Sequence, residues 1–398
     1  MEIPAILLLH DEYGKYKEGV SSTHRQLVLT LREHRPNIPL FSTVLNATDA
    51  DKQDAHHDGV ELLLPQVYTG DPREPSLAWL TFDHHSRYPH LPSKVRSIVG
   101  HFDITNKAAV NLKQRFPNAK VILFTHDIPE DTENYKGAEK AMCIEAKKKS
   151  ILEDAKEADV VFSLGNKIFD YFQNEFRAIC DEEKPPHHVK FVPRPSKIFE
   201  DARPVYIEAE TMVVLSIGRV TSLTAESLSI VAERRNIKWR ASVVNNEDDF
   251  KASKEILDHS KSTHLQVTLY RCDSQEDICQ HMMQAHLVLM PSCAEPFGLI
   301  GLEAIAAGVP VLVSSKSGLA DFIKEHIKEL RHSIVEMMEF SKEGAKHLAK
   351  SIEDILKNNK TEFEDAARCK KKLLSTEYWK ESHHQFIKAC TCVTEGDL

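Results

Sequence analysis

Short apolar runs alternate along the whole chain with segments whose apolar residues recur three and four positions apart. That alternation predicts parallel α/β architecture, because strands buried on both faces read as unbroken apolar runs and crossover helices as amphipathic stretches. In the first half the runs predict strands at Ala5–His10, Pro39–Leu45, Glu61–Pro65, Val95–His101, Val121–Thr125, Val160–Leu164 and Val189–Pro193. Helices are expected at Ser22–Glu33, Asn106–Phe116, Ala138–Glu157 and Lys167–Phe176. The prolines of Pro72–Lys94 interrupt any period and predict a loop-rich insertion. Proline clusters again at Lys184–Pro186 and Pro193–Pro204, which puts a linker near Pro195–Val205. Beyond it the alternation restarts, with strands at Met212–Ile217, Trp239–Val244 and Leu265–Leu269 and helices at Ala225–Arg235, Asp248–His259 and Gln275–Gln284. After Phe322 the pattern is helical to the end, with Leu348, Ile352, Ile355 and Leu356 sharing a face.

The densest pattern runs from Leu287 to Leu319. It predicts a strand at Leu287–Pro291, a turn at Ser292–Phe297, a helix at Leu299–Ala307 between Gly298 and Gly308, and a strand at Val309–Val313. Between Pro296 and Val313 every residue is apolar or glycine except Glu303. A carboxylate in such a run needs a partner, because burying a lone charge is heavily penalised. No basic residue close in sequence offers itself. Two parallel strands joined by a helix place the intervening loop, with Glu295, at the carboxyl edge of the sheet, where open α/β sheets bind ligands. Glu303 falls about one helical turn further on. The free backbone amides near Phe297, Gly298 and Leu299 open a helix and suit phosphate.

EPFGLIGLE at Glu295–Glu303, followed by AIAAGVPVLVSSKSGL, resembles the retaining glycosyltransferases of family 4. The resemblance implies the GT-B fold: two Rossmann-like domains facing across a cleft, with a last helix (here Tyr378–Cys390) crossing back to the first domain. The domains would span residues 1–198 with 376–398, and 205–375. It implies transfer of a hexose from a UDP- or GDP-linked sugar to an unspecified acceptor, with retention of configuration and neither cofactor nor obligatory metal. By the same resemblance Glu295 holds donor-sugar hydroxyls, Glu303 the ribose, and the amides of Phe297, Gly298 and Leu299 the sugar and phosphate.

Arg219 follows Gly218 where the family places its Gly-Arg, and a permanently charged fork suits a departing diphosphate. Read without the family, it is a surface arginine on a connecting loop. His126, in ILFTHDIPED, stands where a family histidine faces the sugar, with Asp127 beside it. A histidine ending a strand is equally often structural. His101 is a second candidate of the same kind. Gly19, in KYKEGVSSTHRQ, is what remains of a glycine-rich first loop, or a plain turn before the helix.

Several positions depart from the family pattern. Thr224 and Ala225 stand where Lys-Gly usually falls, Glu18 replaces a loop glycine, and PRPSKIF at Pro193–Phe199 replaces an Asn-Gly and leaves Arg194 as an added charge. Glycine numbers 14 in 398 residues, below the usual share of about 7%. Such losses also suit a second expectation: a GT-B chain that lost catalysis and serves as a nucleotide-binding or nucleotide-sugar-binding or scaffold module.

Composition narrows the partners. The net charge of −9 argues against nucleic acid. The lysine runs Lys147–Lys149 and Lys370–Lys372 read as solvated helix faces, with peripheral contact to anionic lipid as the lesser reading. No apolar stretch is long enough to span a bilayer, the N-terminal run lacks the marks of a signal peptide, and eight scattered cysteines suit a reducing cytoplasm. Neither Cys390–Cys392 nor the adjacent His pairs, such as His56/His57, have metal-ligand spacing, so no metal is expected.

Overall fold

The computed structural model describes residues 3–14, 19–132, 142–218, 220–244, 247–259, 264–272, 274–292, 294–337 and 341–391. The chain divides into two compact units, Met1–Arg194 with Trp379–Leu398, and Pro195–Tyr378.

In the first unit, β1 (Ala5–Leu8), β2 (Leu40–Thr43), β3 (Glu61–Leu63), β4 (Val95–His101), β5 (Lys120–Thr125), β6 (Val160–Leu164) and β7 (His188–Phe191) form one sheet in the order β3-β2-β1-β4-β5-β6-β7. Every pairing in it is parallel. The second unit repeats the plan with β8 (Met212–Ile217), β9 (Ile237–Val244), β10 (Gln266–Cys272), β11 (Leu287–Met290), β12 (Val311–Ser314) and β13 (Ile334–Val335), in the order β10-β9-β8-β11-β12-β13. Its pairings are parallel too. The strand order reverses between β1 and β4 and again between β8 and β11. Each reversal leaves a crevice at the carboxyl ends of the strands, because the flanking crossovers leave in opposite directions. Ile6, Leu7 and Leu8, and in the second unit Leu287 and Val288, are wholly buried, which is why these runs carry no polar alternation.

The helix Lys380–Thr391 belongs to the first unit, although 184 residues of the second separate it from β7. Its Phe386 is fully buried among Phe124, Phe162 and Phe191, with ring centroids 5.5, 5.9 and 6.2 Å away. Burying one phenyl ring stabilises the packing by about 1.5–3 kcal/mol. Polar groups fix its register: the Val192 amide donates to Ser382 Oγ at 3.1 Å, and Ser97 Oγ donates to the Cys390 carbonyl at 3.2 Å. Arg194 lies over the Trp379 ring at 4.6 Å and approaches Glu33 at 3.9 Å, so its charge ties the end of the first unit to this returning segment.

The structure corrects four readings of the pattern. Pro72–Lys94 is no mere loop: it carries short helices at Leu77–Thr81 and His84–Arg87 and buries Trp79, Leu80, Tyr88 and Leu91 in the core. The Arg87 guanidinium lies 3.8 Å from the Trp79 ring centre and pairs with Asp71. Prolines broke the period there without reducing the apolar payload. A helix at Asp49–Asp58 went unread because its sequence is polar; a reciprocal capping box between Thr48 and Asp51 and the left-handed Gly59 delimit it instead. The tail is not helical throughout, since β13 adds a two-residue strand. The lysine runs are not simply solvated either. Lys147 pairs with Asp103 and Asp127 at 2.7 and 3.4 Å, and Lys148 with Glu175 at 2.9 Å. Lys370 Nζ donates to the carbonyls of Phe199, Ala202 and Ala307, and its burial lowers its pKa to about 8.

Candidate active site

In the second unit the β11–β12 crossover holds five of the predicted residues together. Gly298, at φ 105°, starts the helix Leu299–Ala307 and, having no side chain, caps none of the amides of its first turn itself. A helix start of this kind, with its amides and its dipole, is the arrangement that suits an anion. The loop before the helix is held against the next crossover by main-chain bonds: the Gly318 amide donates to the Glu295 carbonyl at 3.2 Å and the Leu319 amide to the Phe297 carbonyl at 2.5 Å. Such an approach of two loops requires small residues. A Cβ on Gly298 would meet Met290 Cε at 2.8 Å and Leu319 Cβ at 3.2 Å, and one on Gly318 would strike the Pro296 carbonyl. Phe297 is buried, whereas Leu299 and Glu295 keep part of their surface exposed.

Glu303 is 8% exposed, one turn inside the helix, as its spacing predicted. The fold does not strand it, because both Glu295 and Glu303 have partners within the chain. Its charge reaches Cys279, whose thiol is pushed up to about 11, first by burial and then by Glu303. That thiol donates to the Ile198 carbonyl and stays protonated. Arg219 lies outside the described residues; the preceding Gly218, at φ 106°, ends β8 at the crevice beside β11. At the position where the family carries lysine, Thr224 is buried in the first turn of the helix Ser222–Ala232. Its amide donates to Thr221 Oγ1 and its hydroxyl lies 2.9 Å from the same oxygen.

In the first unit, Gly19 starts the helix Val20–His34 at φ 62°, with open space around its Cα. Glu18 lies outside the described residues. Tyr13, among the described residues upstream, donates to Asp58 at 3.0 Å, while Arg25 binds the same carboxylate with two nitrogens at 2.6 and 3.0 Å. His126 leaves the end of β5 and its Nε2 lies 2.8 Å from His101 Nδ1. His101 is fully buried behind it, and its Nε2 lies 2.9 Å from His24 Nδ1. The His10 ring packs 4.8 Å from His24 and 5.3 Å from His101. Burial drives the pKa values of His24 and His101 well below the ordinary range and that of His126 down to about 3, so the three rings are neutral at pH 7. Asp127 turns to Lys147 instead. His24 and His10 were not read from the sequence. One lies on a helix and the other just past a strand, and no linear spacing joins them to His101 and His126.

Among the described residues no group of three or more His, Cys, Asp or Glu side chains is arranged to hold a metal ion. The histidine nitrogens stand too close for that role. Ligands about 2.0–2.1 Å from a tetrahedral metal lie roughly 3.3 Å apart, whereas these pairs are separated by a single shared proton. No helix among the described residues is long and apolar enough to cross a membrane.

The model of the family 4 glycosyltransferases of conflict systems matches residues 7–386, nearly the whole chain. The chain belongs to that family. Curated relatives match this family 4 chain over short stretches. An uncharacterized glycosyltransferase of Methanocaldococcus jannaschii is 28% identical over 130 residues, covering 31% of this chain and 33% of its own. A D-inositol 3-phosphate glycosyltransferase of Mycobacteroides abscessus is 28% identical over 117 residues, 28% of this chain and 26% of its own. The matched region thus spans about a third of the first relative's length and about a quarter of the second's. Solved structures agree over nearly the full length. A sucrose-phosphate synthase of Thermosynechococcus elongatus superposes with a TM-score of 0.70 at 18% identity, covering 96% of this chain and 97% of its own. Anabaena HepE, solved with UDP and glucose, gives 0.65 at 15% identity and covers 97% and 98%. The fold is therefore GT-B, two parallel-sheet Rossmann-like domains with the final helix packed on the first.

Proposed function

We propose that this chain transfers a hexose from a nucleoside-diphosphate sugar, UDP- or GDP-linked, to an acceptor, with retention of configuration and without an obligatory metal. The observation that carries the reading is the glycine-started helix at Leu299, flanked by Glu295 before it and Glu303 one turn within it, in a chain matched to family 4 from residue 7 to 386. In this reading the amides near Phe297, Gly298 and Leu299 hold the diphosphate together with Arg219. That charge grows as the sugar departs, so donors already in place stabilise the transition state more than the ground state. Glu295 orients the sugar hydroxyls, Glu303 holds the ribose, Gly19 lets the first loop approach the phosphates, and His126 places the sugar against the acceptor. The departing phosphate takes the acceptor proton on the face it leaves.

One observation favours a second reading, a nucleotide-binding or scaffold module without turnover: Thr224 is committed to a helix cap where a phosphate-binding lysine is expected. Calorimetry with UDP, GDP and ADP, followed by hydrolysis and transfer assays on the matching nucleotide sugars, separates the two. Binding with turnover supports the transferase. Binding without turnover over a broad acceptor set supports the module. Failure to bind any of the three nucleotides overturns the transferase and the nucleotide-binding module, and leaves the scaffold.

A further inference from the structure

The histidines behind His126 form a single file with a direction. Ser42 Oγ lies 2.8 Å from His24 Nε2, His24 Nδ1 lies 2.9 Å from His101 Nε2, and His101 Nδ1 lies 2.8 Å from His126 Nε2. The residues come from β2, the helix Val20–His34, the end of β4 and the residue after β5. Ser42, His24 and His101 are wholly buried, so water does not compete for these bonds. A neutral imidazole has one N–H and one lone pair. A ring that uses both nitrogens in the file must therefore donate on one side and accept on the other, and all three bonds point the same way. The end group selects which way. Ser42 has one proton, and its hydroxyl also lies 3.3 Å from the Thr43 carbonyl, which can only accept. With that proton on the carbonyl, Ser42 receives the His24 Nε2–H, and every side-chain polar atom of Ser42, His24 and His101 is bonded. With the proton turned to His24, the Ser42 bond to the carbonyl is lost. An unmade bond of this kind in a sealed core is what folded proteins avoid.

We propose that Ser42, His24 and His101 are positioning residues that lock His126 as the Nε2–H tautomer and leave its Nδ1 a bare lone pair, an acceptor for a hydroxyl of the bound substrate. Among the described residues no group bonds His126 Nδ1, so the lone pair is available to a ligand. The part about the hydroxyl rests on the transferase reading; the direction of the file does not. The file sets the polarity of an atom at the strand edge from a serine on β2, with β1 and β4 between.

Long-range proton–nitrogen correlation spectra of the full chain labelled with ¹⁵N-histidine, assigned by single variants, test it without any donor. The expected pattern is slowly exchanging Nε2–H protons on His24, His101 and His126, with unprotonated Nδ1 on all three. A proton on Nδ1 of any of them, or rapid exchange between tautomers, overturns the proposal. Ser42→Ala removes the terminal acceptor and should mix the tautomers of His126. With a donor found as above, it should lower kcat about tenfold while the Kd for UDP stays unchanged, the loss of one hydrogen bond's worth of orientation. Ser42→Thr, which keeps the hydroxyl, should restore the spectrum. A fall in kcat with the tautomer pattern intact would show that Ser42 acts by packing alone and overturns the relay. Since the spectra need no turnover, absence of transfer would defeat the transferase reading and leave the direction of the file intact.

Discussion

Two sheets with the same strand order furnish their carboxyl edges in opposite ways. The edge beyond β11 is made of backbone: glycines at positions 298, 301 and 318, main-chain bonds between neighbouring loops, and a helix that starts on a glycine. The edge beyond β1, β4 and β5 is made of side chains, imidazoles packed ring against ring and bonded through their nitrogens. A backbone edge suits an anion of fixed shape, because amides cannot move without moving the fold. A side-chain edge holds neutral hydrogen-bonding groups whose polarity depends on how they are paired. The difference teaches that one topology supplies the place, while residue size decides whether backbone or side chains do the chemistry.

The comparison is broken most directly at Glu295, the charged side chain at the start of the backbone edge. Glu295→Gln keeps its shape, so melting should be unchanged while transfer falls about tenfold to a hundredfold, the worth of a hydrogen bond to a charged group at about 1.5–3 kcal/mol. Full activity in that variant would remove Glu295 from the site. Next in size is Gly318→Ala, whose new methyl strikes the Pro296 carbonyl; overpacking of this kind costs about 1–3 kcal/mol, readable as a lower denaturation midpoint together with weaker nucleotide binding. An unchanged midpoint would mean that the two loops are not held as closely as the structure shows.

Acid should act on the other edge. The folded pKa values of His24 and His101 lie well below the ordinary range, and those of His126 and His383 near 3 and 4, so the unfolded chain binds the more protons as pH falls. Stability from these groups is complete above about 6.5 and is lost below it, by up to about 1.4 kcal/mol per pH unit for each histidine kept neutral. In the second unit His281 is lowered. Amide exchange at pH 5 against pH 7 should therefore lose protection first in the first unit; equal loss in both would refute the assignment. The smallest effect is expected at Gly19→Ala. Its Cα faces open space, so only the left-handed backbone costs, about 1–2 kcal/mol, with no steric term added. A loss larger than that of Gly318→Ala would invert the comparison.

Much of this was legible along the chain. The strand runs, the helix Leu299–Ala307 between its two glycines and the placing of Glu295 and Glu303 all follow from local pattern, because parallel strands and short crossovers bind sequence neighbours to spatial ones. The capped helix at Asp49–Asp58 was not legible from hydrophobic period, since capping rather than an apolar stripe defines it. Nor was the burial of Trp79 and Tyr88 in a proline-broken segment, where apolar content mattered and periodicity did not.

The sequence alone determined the alternation of elements and the acidic, glycine-started crossover, since each is written in residues a few positions apart; the return of the last helix entered only through the resemblance to family 4. Only the tertiary structure decided that His24, His101 and His126 stand in line with Ser42, and that Thr224 and Lys370 face inward. Those outcomes depend on which strands become neighbours and on which polar groups are sealed from water. Local spacing carries no term for either.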